Sequence, residues 1–209
     1  MTRMLPPILT ETQIVEITGA LADTGLHILE NALPSEYVAR WRARAFTLQQ
    51  EGALKPAGVG RAENREIALQ VRSDTIAWLE AESENVEDRS ALGFIEALRR
   101  ALNERLYLGV DHAECHFALY PPSGHYSKHL DRHRNTDARV ISFVLYLNES
   151  WHAKWGGQLK IFDNKDNLLR VVEPCGGTLV LFRSEQFPHE VVASAQNRVS
   201  LTGWLRRRT

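Results

Sequence analysis

The chain has 209 residues, with 25 Lys and Arg, 26 Asp and Glu, and a hydrophobic content of 44%. This length allows one domain to bury roughly 70% of the unfolded surface, and the composition excludes a collagen, a coiled coil and a disordered chain. The formal net charge of −1 gives no general attraction to nucleic acid or to anionic lipid, so neither is expected as a partner.

The N-terminal segment and the cysteines indicate a soluble protein. No stretch is apolar and long enough to cross a bilayer, and residues 1–7 do not form the apolar region of a signal peptide. Cys115 and Cys175 lie outside any CxxC motif, which favours two buried, reduced thiols. We therefore expect a cytoplasmic monomer that binds no membrane.

The first half of the chain has the periodicity of helices. Residues 10–13 form a capping-box pattern, and the helix that they begin ends before Gly25. A strand is expected over Leu26–Leu29, a second helix from Ser35, and a third helix from about Arg89 to Leu106. The expected core positions of these helices are Ile14, Ile17, Leu21, Val38, Trp41, Ala45, Leu48, Leu92, Ile95, Leu98, Leu102 and Leu106.

The remaining segments predict a mobile loop followed by a β-rich half. Residues 52–70 are rich in Gly, Ala and charge, which is typical of a loop, and a strand is expected within Ile67–Asp74. After Val110 short strands alternate with Pro-Pro, Gly-Gly and Asp-Asn turns, which predicts a sandwich or barrel packed against the N-terminal helices. We expect one domain, with helical support over 1–110 and the β core over 111–209. The expected strands are Cys115–Tyr120, Val140–Asn148, Gln158–Phe162, Leu168–Val172, Thr178–Phe182, Glu190–Ala193 and Arg198–Trp204.

Alternation along two of these strands predicts a polar interior. Successive side chains of a strand point to opposite faces. The more apolar faces carry Val199, Leu201 and Leu205 on one strand, and Ile141, Phe143, Leu145 and Leu147 on the other. These faces are expected to meet the helices, so the opposite faces, with Arg198, Ser200, Thr202 and Trp204 and with Ser142, Val144 and Tyr146, should line a ligand pocket.

Two of the eight histidines and one of the eight aspartates predict a metal site. His129 and Asp131 are two residues apart, so they share a face of an extended segment, and His189 lies beside a later predicted strand. Two histidines and one carboxylate on one side of a metal are the ligands of non-haem Fe(II) that activates oxygen. Each histidine alone is more often an ordinary core or surface residue, but the strand context of all three favours iron.

Arg198 predicts an anionic ligand beside that metal. An arginine inside a barrel needs an anionic partner, and a carboxylate fits its planar fork. Ser200, Thr202 and Tyr146 share the polar face and could add hydroxyl donors. A dicarboxylate that chelates the metal at one end and pairs with Arg198 at the other would fit, and 2-oxoglutarate is such a molecule.

Several stretches around these residues carry a family resemblance. They are Leu119-Tyr-Pro121, Tyr126-Ser-Lys-His-Leu-Asp131, Tyr146-Leu-Asn148, Trp151-His-Ala-Lys-Trp-Gly-Gly157, Leu159-Lys-Ile-Phe162, Pro188-His-Glu-Val191 and the strand from Arg198 to Trp204. The chain from about Gln70 to Trp204 resembles the 2-oxoglutarate- and Fe(II)-dependent dioxygenases, in particular the prolyl 4-hydroxylases of the hypoxia-inducible-factor type and their bacterial relatives.

The resemblance implies a fold and roles for individual residues. The fold would be mainly β with α, a double-stranded β-helix (jelly-roll) supported by N-terminal helices. Fe(II) would be held by His129, Asp131 and His189, and the C5 carboxylate of 2-oxoglutarate by Arg198. The further residues implied are Tyr146, Thr202, Tyr120 and Leu159 around the cosubstrate, and Asp74, Trp78, Arg139 and Trp204 around a peptide substrate. The loop near 52–70 would close over that substrate.

The implied activity is hydroxylation of a proline in a protein. O2 and 2-oxoglutarate would be consumed, succinate and CO2 released, and ascorbate is a candidate reductant. If the source is bacterial, elongation factor Tu is the substrate that the resemblance suggests. Two alternatives stay open: a dioxygenase that hydroxylates a free amino acid or small metabolite, and a non-catalytic, metal-binding jelly-roll module.

Overall fold

The computed structural model describes residues 7–58, 68–131 and 138–208. These residues contain three α-helices, α1 (Glu11–Asp23), α2 (Ser35–Gln50) and α3 (Val86–Leu106). The predicted capping box begins α1: Thr10 Oγ1 accepts from the Gln13 N–H at 3.2 Å, and Gln13 Oε1 accepts from the Thr10 N–H at 2.8 Å. Such caps stabilise a helix by about 1 kcal/mol, so the start of α1 is set locally.

Two predicted boundaries in the first half are wrong. Helix α3 begins three residues before Arg89, because Asn85 is its N-cap and its Oδ1 accepts from the N–H groups of Glu87 at 2.9 Å and Asp88 at 3.4 Å. The strand expected within Ile67–Asp74 lies instead at Thr75–Trp78. Residues 59–67 of the predicted mobile loop over 52–70 lie outside the described residues, and the described part of that loop contains the two-residue strand Lys55–Pro56.

The described strands form two antiparallel sheets. The strands are β1 (Leu26–Leu29), β2 (Lys55–Pro56), β3 (Thr75–Trp78), β4 (His112–Tyr120), β5 (Tyr126–His129), β6 (Arg139–Tyr146), β7 (Leu159–Phe162), β8 (Leu168–Val172), β9 (Leu179–Arg183), β10 (His189–Val191) and β11 (Arg198–Arg206). The larger sheet has the order β1-β9-β6-β11-β4-β3-β2, and the smaller has the order β5-β10-β7-β8. Two such sheets facing each other, with helices on one side, match the expected jelly-roll.

The predicted alternation of β6 and β11 is confirmed by the two cores. Their apolar faces, represented by Phe143 and Leu201, are fully buried in one cluster with helix residues such as Trp41 and Leu98. A second cluster lies between the sheets and contains Tyr120, Tyr146, Leu159, Ile161, Val180, Phe182, Phe187 and Val191. Each fully buried large apolar side chain contributes roughly 1.5–3 kcal/mol. The helical layer therefore holds the large sheet from behind and leaves its other face toward the smaller sheet.

Two other predictions can be compared with the structure. In the described residues no helix is long and apolar enough to span a membrane. Cys115 is buried and Cys175 is exposed, and neither is paired with another cysteine. The expectation of two buried thiols is thus wrong for Cys175, which lies in the turn between β8 and β9.

Candidate active site

Strand pairing brings the three predicted metal ligands together. β10 pairs with β5 so that His189 lies opposite His129, and Asp131 follows two residues after His129. The Nε2 atom of His129 is 3.5 Å from Asp131 Oδ1, and the Nε2 atom of His189 is 3.6 Å from Asp131 Oδ2. The ligand atoms of the three residues lie within 4.8 Å of one another, which is close enough for one ion to contact all of them.

Backbone carbonyl groups select the nitrogen that each histidine presents. His129 Nδ1 lies 2.8 Å from the Ser127 carbonyl oxygen, and His189 Nδ1 lies 3.0 Å from the Phe187 carbonyl oxygen. A proton on Nδ1 therefore donates to the backbone, and Nε2 is left as a lone-pair donor. Burial, followed by the charge of His129, lowers the pKa of His189 to about 4. At neutral pH this imidazole is uncharged, which is the form that binds a metal.

The third ligand, Asp131, is held as an anion. Burial on its own would raise the pKa of Asp131, but His189, His129 and a hydrogen bond from Ser142 together hold it well below its usual range. The Ser142 hydroxyl donates to Asp131 Oδ2 at 2.7 Å. An imidazole from each of two histidines and one carboxylate are the donor set of a non-haem Fe(II) site. The residues present therefore fit Fe(II), which when bound supplies the oxygen chemistry of such sites.

The metal ligands lie at one end of a pocket between the two sheets. Its other lining residues are Arg72, His116, Tyr120, Tyr126, Val144, Leu159, Val191, Arg198, Ser200, Thr202 and Trp204. The polar face of β11 contributes every second residue from Arg198 to Trp204, as the alternation predicted. β4 lies beside it, with Tyr120 opposite Arg198 and His116 opposite Thr202.

Arg198 is a buried cation without an anionic partner in the described residues. Its side chain is in the core, with 1% of the residue exposed, and no described carboxylate lies within ion-pair distance. Its Nε donates to the Gly157 carbonyl oxygen at 2.9 Å, and its guanidinium carbon lies 5.1 Å and 4.9 Å from the ring centroids of Tyr120 and Tyr146. An isolated buried charge is costly, so this guanidinium is suited to an anionic ligand.

The hydroxyl groups around Arg198 differ in what they can offer to that ligand. The buried Tyr146 hydroxyl lies beside the Arg198 guanidinium and makes no hydrogen bond of standard geometry in the described part of the chain. Burial raises the pKa of Tyr146, so the hydroxyl keeps its proton and can donate it to a ligand. Thr202 Oγ1 instead donates to the Phe143 carbonyl oxygen at 2.8 Å. In this arrangement Thr202 presents its lone pairs to the pocket that it lines, and its contact with the cosubstrate stays a prediction. The cationic end with Tyr146 fits a carboxylate of 2-oxoglutarate, and Leu159 and Tyr120 enclose it.

The residues predicted around a substrate are divided between the pocket and its surroundings. Trp204 lines the pocket, Arg139 stacks over the Trp204 ring at 3.5 Å, and Trp78 is 40% exposed with its ring 6.4 Å from that of Trp204. These three form an aromatic and cationic rim. Asp74 is not part of this rim. Its side chain is buried, and both its oxygens accept from Arg72, at 2.7 and 2.6 Å. A direct contact between Asp74 and a substrate is therefore not supported.

Sequence reasoning missed the role of a stack that ends on a metal ligand. The Tyr126 ring stacks on the His129 ring, with centroids 3.6 Å apart and planes 15° apart. The guanidinium carbon of Arg72 lies 4.3 Å from the centroid of the Tyr126 ring. Arg72 is also fixed by Asp74. The adjacent backbone is joined to the Tyr126 segment, since Ser127 N–H donates to the Val71 carbonyl oxygen at 2.8 Å. No periodicity marks such a stack, although both residues lie close to recognisable motifs.

Comparisons with known proteins agree with this geometry. A family model described as the 2OG-Fe(II) oxygenase superfamily matches residues 115–206. The human prolyl hydroxylase EGLN3 is 31% identical over 194 residues, which cover 90% of this chain and 81% of that protein. The chain belongs to the prolyl hydroxylase family of 2OG-Fe(II) oxygenases. The prediction of a 2-oxoglutarate-dependent dioxygenase of this family is thereby confirmed in preference to the alternative of a non-catalytic, metal-binding module.

Solved structures extend the likeness beyond the region that the family model matches, to 94% of this chain. A prolyl-4-hydroxylase from Pseudomonas putida is 39% identical with a TM-score of 0.81, over 94% of this chain and 100% of that one. A prolyl hydroxylase from Trichoplax adhaerens, solved with a hypoxia-inducible-factor peptide fragment, is 26% identical with a TM-score of 0.83, over 94% of this chain and 90% of that one. The jelly-roll fold of the enzyme is therefore confirmed, together with the dependence of its family on Fe(II) and 2-oxoglutarate.

Proposed function

We propose that the enzyme 4-hydroxylates a proline residue of a protein substrate. The observation that carries this proposal is the buried Arg198, which has no described carboxylate partner and shares one pocket with His129, Asp131 and His189. That pocket has an anion-binding end for 2-oxoglutarate and a metal-binding end for Fe(II). When bound, the iron and its cosubstrate supply the oxidation, with 2-oxoglutarate converted to succinate and CO2 as O2 is consumed.

The protein residues have positioning roles in this reaction. Arg198 and Tyr146 hold the far carboxylate of the cosubstrate, and the backbone-fixed tautomers of both histidines keep Nε2 toward the metal. The wall of Leu159, Val144 and Val191 excludes water from the space between these two ends. Orientation of the cosubstrate and protection of reactive species are the expected contributions of the protein to this chemistry.

The rim supports a protein substrate over a free amino acid. Trp78, Trp204 and Arg139 form an aromatic and cationic surface whose exposed part is Trp78. Arg139 also donates to the Asp131 carbonyl oxygen at 3.2 Å, which places this surface beside a metal ligand. A flat ring such as Trp204 suits the apolar face of a prolyl residue, and Arg139 suits a carboxylate or carbonyl group next to it in a peptide. If the source is bacterial, we propose elongation factor Tu as the substrate, a suggestion that rests on the family resemblance.

Mass spectrometry of a protein substrate tests this proposal. Purified elongation factor Tu incubated with enzyme, Fe(II) and 2-oxoglutarate should gain one oxygen atom on a proline, and amino-acid analysis should identify 4-hydroxyproline. Free proline at the same concentration is the matched alternative substrate, and Asp131→Ala is the inactive control. Oxygenation of free proline without oxygenation of the protein would favour the small-metabolite alternative. If elongation factor Tu is not modified but another protein of a cell lysate is, that protein and not elongation factor Tu is the substrate.

Three further parts of the proposal rest on the sequence and the resemblance. We propose that ascorbate is the reductant that keeps the iron ferrous, that the enzyme is a monomer, and that it acts in the cytoplasm. The unpaired Cys115 and Cys175 support a reducing compartment. Turnover with and without ascorbate, light scattering of the purified enzyme and cell fractionation test the three statements separately.

A further inference from the structure

Two buried serines form a hydrogen-bonded chain that ends on the carboxylate of Asp131. The Ser142 Oγ lies 2.7 Å from Asp131 Oδ2 and 2.9 Å from the Ser184 Oγ. Ser142 and Ser184 are 1% and 0% exposed. Bulk water therefore does not compete for these hydrogen bonds, and the low polarity around them strengthens each one.

The sheet, and not a loop, fixes both hydroxyl groups. Ser142 lies within β6 on the same face as Val144 and Tyr146, and that face is directed toward the pocket side of the large sheet. Ser184 directly follows β9, and its N–H donates to the Val140 carbonyl oxygen at 3.1 Å. β6 and β9 pair through Ile141 and Arg183 at this point. The two serines thus reach each other across neighbouring strands of a rigid element.

The direction of the hydrogen bonds follows from the donors available. An ionised carboxylate only accepts hydrogen bonds, and a serine hydroxyl has a single proton to donate. Because the Ser142 proton is directed to Asp131 Oδ2, the bond between the two hydroxyl groups must be donated by Ser184. The chain therefore runs one way, from Ser184 through Ser142 to Oδ2, and no described hydroxyl donates to Oδ1.

We propose that Ser142 and Ser184 are positioning residues that fix the orientation of the Asp131 carboxylate through Oδ2. Both carboxylate oxygens lie near a ligand nitrogen, Oδ1 at 3.5 Å from His129 Nε2 and Oδ2 at 3.6 Å from His189 Nε2. Because only Oδ2 accepts from a described hydroxyl, Oδ1 is the oxygen with more lone-pair capacity left for a metal. A carboxylate restrained in this way would favour binding a metal through one oxygen, and the His129, Asp131 and His189 ligand set would then leave positions for the cosubstrate and for oxygen. Hydrogen-bond partners of metal ligands commonly change metal affinity by 10- to 100-fold. The inference concerns the metal site alone, so it does not depend on which substrate is hydroxylated.

Co(II) binding to the apo-enzyme tests the role of both serines. The visible absorption bands of bound Co(II) respond to the number of ligand atoms, and titration gives the dissociation constant. Ser142→Ala should weaken Co(II) binding by about 10-fold and shift the bands, because the freed carboxylate can bind through both oxygens. Ser184→Ala should weaken binding by only about 2- to 3-fold. Ser142→Thr, which restores a hydroxyl in a strand, should return the bands to their wild-type positions.

The double variant distinguishes a chain from two independent contacts. If Ser184 acts through Ser142, then Ser142→Ala/Ser184→Ala should bind Co(II) as Ser142→Ala does. Ser90→Ala is the matched control, since Ser90 is also buried but lies on α3, away from the pocket.

Three outcomes would overturn the inference. They are wild-type affinity and bands in a folded Ser142→Ala, shifted bands in Ser142→Thr, and an added loss from Ser184→Ala in the Ser142→Ala background. A failure to find a hydroxylated protein would contradict the proposed function but would leave these Co(II) results unchanged.

Discussion

Replacing Arg198 with methionine removes the buried cation while keeping a side chain of similar length. In the bound state a bidentate carboxylate would accept two charge-assisted hydrogen bonds, each contributing roughly 1.5–3 kcal/mol. With a value near the low end of that range for each bond, their loss should cost about 3–4 kcal/mol of cosubstrate binding. Since about 1.4 kcal/mol corresponds to a factor of ten, the 2-oxoglutarate requirement should rise by two to three orders of magnitude.

The same substitution should have a much smaller effect on the apo-enzyme. Within the described residues, Arg198 makes one hydrogen bond, from Nε to the Gly157 carbonyl oxygen, and no ion pair. The lost hydrogen bond is worth about 1–2 kcal/mol, and removing a charge that is costly to bury offsets part of it, so the free energy of unfolding should fall by no more than about 1–2 kcal/mol. Arg198→Lys keeps the charge but loses the planar fork, so it should give an intermediate requirement.

Succinate formation against 2-oxoglutarate concentration, with urea denaturation of each apo-variant, separates these two effects. An unchanged 2-oxoglutarate requirement in folded Arg198→Met would show that the cosubstrate carboxylate does not bind at Arg198.

Two further predictions concern the metal ligands. The pKa of His189 is lowered to about 4 from an ordinary value near 6.5. Between these two pH values the unfolded chain therefore binds more protons than the folded one, so the free energy of unfolding falls as the pH is lowered through this range. Urea denaturation of the apo-enzyme should give a free energy of unfolding roughly 2–3 kcal/mol lower at pH 4.5 than at pH 7.5, and an equal pH dependence in His189→Gln would contradict this assignment. The second prediction concerns the ring stacked on His129. Tyr126→Phe keeps this ring and should bind Co(II) as the wild type does, whereas Tyr126→Leu should weaken Co(II) binding by about 10-fold. Equal Co(II) affinity of the two variants would show that the stack does not position His129.

Sequence patterns were sufficient where short-range rules determine the structure. The capping box at Thr10, the strand Leu26–Leu29 and the alternation along β11 each depend on residues within one element. The start of α3 was missed because Asn85, a good N-cap residue, stands before a polar first turn that lacks an apolar repeat. β5 was not predicted as a strand, since Tyr126–His129 has no apolar alternation and is held by pairing with β10.

The site shows the same division between local and long-range information. The spacing of His129 and Asp131 and the alternation that turns Arg198 inward could be inferred from the sequence. The burial of Asp74 against Arg72, the hydrogen bond that occupies Thr202 and the serine chain behind Asp131 could not, because each depends on which side chains meet across strands. A motif supplies the residue types of a site, but their donors and acceptors are assigned only by the packed structure.

Anaerobic titration of the apo-enzyme with Fe(II) and 2-oxoglutarate tests the central claim most directly. We expect a weak visible charge-transfer band that requires both components, is absent in His189→Ala and appears in Arg198→Met only at much higher 2-oxoglutarate concentration. A folded wild-type enzyme that forms no such band, or a band of equal strength in His189→Ala, would contradict the assignment of this pocket as the Fe(II) and 2-oxoglutarate site.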